Sequence, residues 1–211
     1  MSRATVGQFI TLEGGEGAGK STQARMLAQA LVLRGVPVLR TREPGGAPGA
    51  EFLRGVLLGG AIDWSAPAET LLHFAARAEH VERSIRPAIA AGMWVVCDRF
   101  ADSTLAYQGY GQGADRAMIA GLTTLLAMPP DLTLMLEVSE SVAAERLSRR
   151  ADAADRYERL DGDFHRRVSA GFRAIAAAEP ARCVTIAADG TVEQVHAAIL
   201  AAIETRFGLP R

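Results

Sequence analysis

Lysine is all but missing from this chain: among 211 residues Lys20 is the only one, and every other basic side chain except histidine is arginine. A sequence so biased towards arginine that keeps one compact ammonium marks a place where a point charge does what a planar fork does not. Cysteine is nearly as scarce. Cys97 and Cys183 each lie in an apolar run, with no nearby Cys or His at metal-ligand spacing, so both read as buried reduced thiols. Neither sign of charge prevails, since 23 basic and 24 acidic residues leave a formal net charge of -1. That balance argues against partners drawn by bulk charge, whether nucleic acid or a membrane surface, and makes any anion binding local. No run approaches the roughly 18 apolar residues of a membrane span. The lead from Met1 to Gly7 lacks the basic region and long apolar stretch of a signal peptide. The expected location is the cytoplasm. The histidines, His73, His80, His165 and His196, have no partner at metal or triad spacing, and no chemistry is read into them.

What the chain does have is a 49% hydrophobic share, enough for one substantial core at the upper end of the single-domain range. One domain over residues 1–211 is expected, with a mobile flap. Short apolar runs alternate with longer helical patterns, the order of a parallel sheet covered by helices. The strands are expected at Gln8 to Glu13, Pro37 to Thr41, Met93 to Asp98, Asp131 to Val138 and Cys183 to Ala187. Helical periodicity covers Ser21 to Arg34, Pro67 to Ala91, Val142 to Arg150, Phe164 to Ala178 and Val192 to Phe207, with Pro87 expected to kink or end the second of these. The Gly/Pro-rich stretch Glu43 to Ala50 and the polar stretch Arg149 to Asp163 interrupt the alternation, as loops that carry function do.

Directly after the first strand runs Gly14-Gly15-Glu16-Gly17-Ala18-Gly19-Lys20-Ser21, followed by Thr22 at the start of a helical pattern. This is the full Walker A pattern in the strand-loop-helix context it requires. Its glycines let successive backbone N–H groups curl around phosphate oxygens, and the helix adds the positive end of its dipole. Lys20 then reaches the β- and γ-phosphates, and Ser21 ligates Mg²⁺. The strand Trp94 to Asp98 ends in an acid, the arrangement in which a carboxylate approaches that metal. A nucleoside triphosphate with Mg²⁺ is thus the first ligand pair, and the class is an α/β P-loop kinase: a five-stranded parallel sheet flanked by helices.

The acceptor is read from further motifs, and the absence of DxxG and NKxD argues against a GTPase switch. Thr41-Arg42-Glu43-Pro44-Gly45-Gly46, Phe74-Ala75-Ala76-Arg77, Asp98-Arg99-Phe100, Ser103-Thr104-Leu105-Ala106-Tyr107-Gln108-Gly109 and Asp155-Arg156-Tyr157-Glu158 follow one another in that order. With the phosphate loop, they closely resemble thymidylate kinase, the family that phosphorylates dTMP with ATP, from about residue 8 to residue 207. The resemblance implies a short lid at about 149–160 and a homodimer. It further implies that Phe74 stacks on thymine, that Arg77 hydrogen-bonds the base edge, and that Thr104 is a further base contact, with Ser103 in the same acceptor set. Phe74 and Arg77 are three apart on a helix, so one face offers an apolar platform beside a donor. Tyr107 matches a tyrosine near the sugar 2′ position and is equally a packing anchor; Gln108 lies behind it or beside the base. Arg99 and Arg42 match the arginines that clamp the monophosphate, for which a bidentate fork is suited. Glu16, an odd charge for a loop that only binds polyphosphate, implies a second partner, which in the family is the acceptor's 3′-hydroxyl.

Gly17 stands where some family members carry an arginine, so positive charge for the transition state must come from the lid. Arg149, Arg150 and Arg156 are the candidates, with Arg150 and Arg156 preferred. Glu158 resembles an acid near the acceptor or metal, with a solvated helix-start glutamate as the alternative, and Asp155 reads as a lid-helix cap. The catalytic set is then Lys20, Arg99, Arg150, Arg156 and Glu16, with Ser21 and Asp98 at the metal. The rivals are a kinase of the same fold acting on another nucleoside monophosphate, and a P-loop ATPase switch, which has no use for the constellation at 74, 77, 99 and 104.

Overall fold

The computed structural model describes residues 7–149 and 156–208. Five short strands, β1 (Phe9–Glu13), β2 (Val38–Arg42), β3 (Trp94–Asp98), β4 (Leu132–Glu137) and β5 (Cys183–Ala187), form one parallel sheet in the order β2-β3-β1-β4-β5. The three central strands β1, β3 and β4 are buried on both faces and read as nearly unbroken apolar runs, whereas the edge strands β2 and β5 are partly exposed; all five fall within a residue or so of their expected places. On one face Ile10, Leu12, Val96, Leu134 and Leu136 pack against Leu27 and Leu31 of α1 (Lys20–Leu33) and Ile199 and Ile203 of α9 (Val192–Phe207). On the other, Phe9, Val95 and Cys97 lie under Val81 and Ile85. Both cysteines are free and buried, and burial raises both thiols, Cys97 well above its ordinary value and Cys183 to about 11.

The connection from β2 to β3 is α2 (Pro48–Leu58), α3 (Ala66–His80), a π-helical turn at Val81–Ile85 and α4 (Arg86–Ala90). Pro87 does not end this run. The Arg86 N–H bonds the Val81 carbonyl, one residue further back than in an α-helix, so the widened turn admits the proline at the start of α4. From β3 to β4 run α5 (Ala101–Thr104), a π-helical stretch Leu105–Gly111 and α6 (Arg116–Leu126), whose first turn is capped by Asp115 accepting from Ala117 N at 2.8 Å. From β4 to β5 run α7 (Glu140–Ser148) and α8 (Gly162–Ala178). Helix α2 replaces part of the expected Gly/Pro loop, and residues 101–111 and 116–126 are helical where no element was expected. No helix among the described residues is long and apolar enough to cross a membrane.

Because the chain fills β2 and β3 on one side of β1 before crossing to β4, the strand order reverses at β1. The crevice beyond its carboxyl end is where an open parallel sheet binds ligands. Glu13, Arg42 and Asp98 end three adjacent strands there.

Candidate active site

Beyond β1 the loop reaches Gly19, a left-handed residue at φ 86°, and α1 starts without any side-chain cap, so its first N–H groups remain available to an anion. Gly17, at φ 72°, lies so close to α7 that an added Cβ would stand 2.8 Å from the Ala143 carbonyl oxygen. The loop therefore has no room for the arginine some relatives of this motif carry. Lys20 folds back to donate to the Gly15 carbonyl at 2.7 Å, and burial, followed by the nearby Arg99 cation, lowers its pKa to about 8. The Ser21 hydroxyl donates to Asp98 Oδ2, which places the two expected metal ligands side by side. One hydroxyl and one carboxylate at the mouth of a phosphate loop suit Mg²⁺, which takes few protein oxygens and keeps water and phosphate for the rest. Among the described residues no three His, Cys, Asp or Glu side chains form a metal-binding group.

Arg99 follows β3 at φ 68° and reaches back across the loop. Its Nη1 donates to the Gly14 carbonyl at 3.0 Å and Ser103 Oγ at 3.2 Å, and its Nη2 to Glu16 Oε1 at 2.5 Å and the Tyr107 hydroxyl oxygen at 3.1 Å. Tyr107 in turn donates to the same Glu16 oxygen at 2.7 Å. Burial opposes the Arg99 charge most strongly, but Glu16, Tyr107, Asp98 and Glu13 together outweigh it and hold the guanidinium's pKa above its ordinary value. Underneath, buried Glu13 accepts from Phe100 N at 2.7 Å and Ser103 Oγ at 2.6 Å, and burial, reinforced by Asp102, pushes its pKa up to about 7. Arg42 stands half-exposed at the rim, 3.3 Å from Glu51.

Arg77, on α3, is the most constrained cation of the site. Its Nε donates to Glu43 Oε2 at 2.7 Å, and its Nη2 to the Phe100 carbonyl at 3.0 Å and Thr104 Oγ1 at 2.9 Å. Glu43 is shared with His80, whose Nδ1 lies 2.9 Å from Oε1. Arg77 Nη1 is buried without a hydrogen-bond partner among the described residues. Its guanidinium lies 4.8 Å from the ring centre of Phe74 and 5.1 Å from that of Phe100. Phe74 packs with Ala114 and Ile119 and does not line the cleft; the cleft wall carries His73 instead.

A cleft of about 680 Å³ joins these parts, lined by Glu16, Lys20, Ser21, Asp98 and Arg99 together with His73, Arg77, Thr104 and Gln108, with Arg42, Ser103, Tyr107 and Glu158 also on its walls. A sequence model of the thymidylate kinase family matches residues 12–199. Thymidylate kinase of Gluconobacter oxydans (strain 621H) is 56% identical over 201 residues, covering 93% of this chain and 94% of that one. Thymidylate kinase of Caulobacter vibrioides is 50% identical over 208 residues, covering 97% and 100%. The crystal structure of thymidylate kinase from Ehrlichia chaffeensis superposes with a TM-score of 0.78 at 34% identity, covering 93% of this chain and 98% of that one.

The chain belongs to the thymidylate kinase family.

Two of the residues expected at a thymidylate kinase site lie elsewhere than the sequence reading put them. Phe74 faces the protein interior, and Arg156 is held away from the phosphate loop by Glu69 at 2.6 Å and Asp63 at 3.3 Å. Arg149 pairs with Glu145 on the surface, while Arg150 and Asp155 lie outside the described residues. A basic side chain of α7 does meet the loop: Arg146 donates to the carbonyls of Gly17 at 3.3 Å and Gly190 at 2.9 Å. Sequence reasoning passed over Arg146, Glu13, Glu43, Glu69 and His73. Glu43 had a signal as part of the Thr41–Gly46 motif and Glu13 as the residue that opens the phosphate-loop motif; the others became visible when the fold brought distant segments together.

Proposed function

We infer that this chain transfers the γ-phosphoryl group of ATP to dTMP, giving dTDP and ADP, as a single domain in the cytoplasm. Its membership of the thymidylate kinase family supports the reaction. The observation that carries the acceptor reading is Arg77 Nη1, a buried donor without a hydrogen-bond partner among the described residues, on a guanidinium that also holds Thr104 in the cleft wall. A base with a carbonyl oxygen completes that donor's hydrogen bonding, and a buried donor left unpaired costs about 1–3 kcal/mol.

ATP phosphates lie over the uncapped start of α1 and Lys20. The acceptor phosphate meets Arg99 and Arg42, and Glu16 takes the sugar 3′-hydroxyl with Tyr107 packed beside the sugar. An acceptor phosphate oxygen attacks the γ-phosphorus in line, and the bond to the β–γ bridging oxygen breaks as ADP leaves. The acceptor is already anionic at neutral pH, so positioning and charge stabilisation carry the rate and no strong base is required. Ser21 and Asp98 would hold Mg²⁺, which would supply neutralisation of charge on the β- and γ-phosphates. For the lid charge we favour Arg146 and Arg150 over Arg156, because drawing Arg156 away strips a fully buried Glu69 of its cation.

We further propose that two copies pair as a homodimer. Adjacent helices α2, α3 and α6 expose Phe52, Leu71 and Leu125 at 73%, 51% and 79%, an apolar face that suits a second copy. Incubation with ATP, Mg²⁺ and dTMP, followed by chromatography, tests the reaction: dTDP and ADP are expected in equal amounts, and ADP release that ignores dTMP contradicts it.

A further inference from the structure

Arg182, in the turn between α8 and β5, is not on the cleft wall, yet every N–H of its guanidinium is spent. Nη1 donates to Asp102 Oδ2 at 2.7 Å and Thr133 Oγ1 at 2.8 Å, Nη2 to Asp102 Oδ1 and Glu179 Oε1, both at 2.8 Å, and Nε to Glu179 Oε2 at 2.6 Å. Those bonds use the full donor capacity of an arginine. Its backbone is fixed as well: the Arg182 N–H donates to the Glu179 carbonyl at 3.1 Å, and the Arg182 carbonyl accepts from Thr133 N of β4 at 2.8 Å. Two parallel bonds to one carboxylate set orientation as well as distance. At 17% and 9% exposure, the Arg182–Asp102 pair is little screened by solvent.

Asp102 lies on α5, which is four residues long and has no side-chain cap at its start. A helix that short depends on tertiary contacts to stay in place. The groups around Asp102 are the ones that aim the acceptor cations: the Phe100 carbonyl and Thr104 Oγ1 take Arg77 Nη2, and Ser103 Oγ takes Arg99 Nη1. Glu13 of β1 grips this segment at Phe100 N and Ser103 Oγ. The fork from Arg182 grips it from the β4–β5 side of the sheet. We propose that Arg182 is a positioning residue for the acceptor: through Asp102 it fixes α5, and α5 in turn holds Arg99 and Arg77 where dTMP meets them. The inference rests on the reading of dTMP as the acceptor. Lys20 and Ser21, bonded to Gly15 and Asp98, lie outside this chain of contacts, so binding of the donor is independent of it.

Three variants, assayed well below their melting temperatures, separate positioning from stability. Arg182→Met frees α5 and strands Asp102. The KM for dTMP is expected to rise about tenfold while the KM for ATP holds, since an ångström of misplacement costs roughly 100-fold. Asp102→Asn combined with Arg182→Met leaves no lone charge, so it melts closer to wild type than Arg182→Met does. The fork is still gone, and the KM for dTMP stays about threefold or more above wild type. Arg182→Lys keeps the cation but reaches fewer of the acceptors, and the KM for dTMP is expected to rise about threefold, the worth of one hydrogen bond. A KM for dTMP unchanged in Arg182→Met, one that returns to wild type with the melting temperature in the double variant, or a rise shared equally by ATP overturns the proposal. If neither methionine variant folds, Arg182→Lys decides alone, and a wild-type KM there overturns it. Wild-type enzyme that fails to phosphorylate dTMP defeats the acceptor reading itself, whereas normal wild-type turnover with an indifferent Arg182 defeats only this inference.

Discussion

Replacing Arg77 by methionine tests both the packing and the chemistry of the acceptor end. Arg77 and Glu43 are 2% and 3% exposed and joined at 2.7 Å, so the substitution strands a buried carboxylate whose other close partner is His80. Breaking a buried pair from one side costs about 3–5 kcal/mol, a large part of the roughly 5–15 kcal/mol that holds a domain together. At about 2–4 °C per kcal/mol for a chain of this size, the melting temperature falls by roughly 6–20 °C. Arg77→Lys keeps a cation near Glu43 but loses the fork that reaches Phe100, Thr104 and, on the proposed reading, the base. It is therefore expected to recover much of the stability and little of the affinity for dTMP. Glu43→Gln combined with Arg77→Met should cost less than the sum of the two changes, because no lone charge remains. Thermal denaturation by circular dichroism and steady-state kinetics read the two effects apart. An Arg77→Met enzyme that melts with wild type and keeps its KM for dTMP refutes the reasoning.

Lys20→Ala is expected to remain folded and lose phosphoryl transfer, checked by circular dichroism and product analysis; normal turnover contradicts the phosphate-loop assignment. Glu13 provides a pH test. Its pKa of about 7 in the folded chain, against an ordinary 4.5, means the folded state keeps a proton that the unfolded state releases. Stability should then fall between pH 4.5 and 7 by up to ~1.4 kcal/mol per unit, ~3 kcal/mol in all. Glu13→Gln, neutral throughout, should flatten that slope and exceed wild type in urea denaturation at pH 8, with the gap closing below pH 4.5; equal slopes refute it. Tyr107→Phe loses the hydroxyl that joins Glu16 to Arg99, a bond worth about 0.5–1.5 kcal/mol, so kcat/KM for dTMP should drop roughly two- to tenfold. An unchanged value makes Tyr107 a packing anchor alone.

The centre of the sheet was legible because β1, β3 and β4 are buried, apolar and short, and the loop from Gly14 to Ser21 because its chemistry is local in sequence. Residues 101–111 were not. Ala106 to Gly109 are buried on every side, so no polar face marks a helical period, and the glycines there read as loop. Helix α2 was hidden by Pro48, Gly49 and Gly55, residues of a turn unless the proline sits in the first helical turn, as it does. The sequence placed Arg77 on a helix correctly but could not say on which side of it the cleft lies. Positions 73 and 74 are both its helical neighbours, and an aromatic residue drew the choice to Phe74. Arg156 was misplaced for a related reason: its partner Glu69 lies 87 residues away, at a distance no local pattern reveals.

The most direct test of the account is turnover of dTMP beside dUMP, UMP, CMP, AMP and GMP, each with ATP and Mg²⁺. The account predicts the highest kcat/KM for dTMP, with dTDP as the product. A better acceptor among the others, or ATP hydrolysis that proceeds equally without any acceptor, contradicts it.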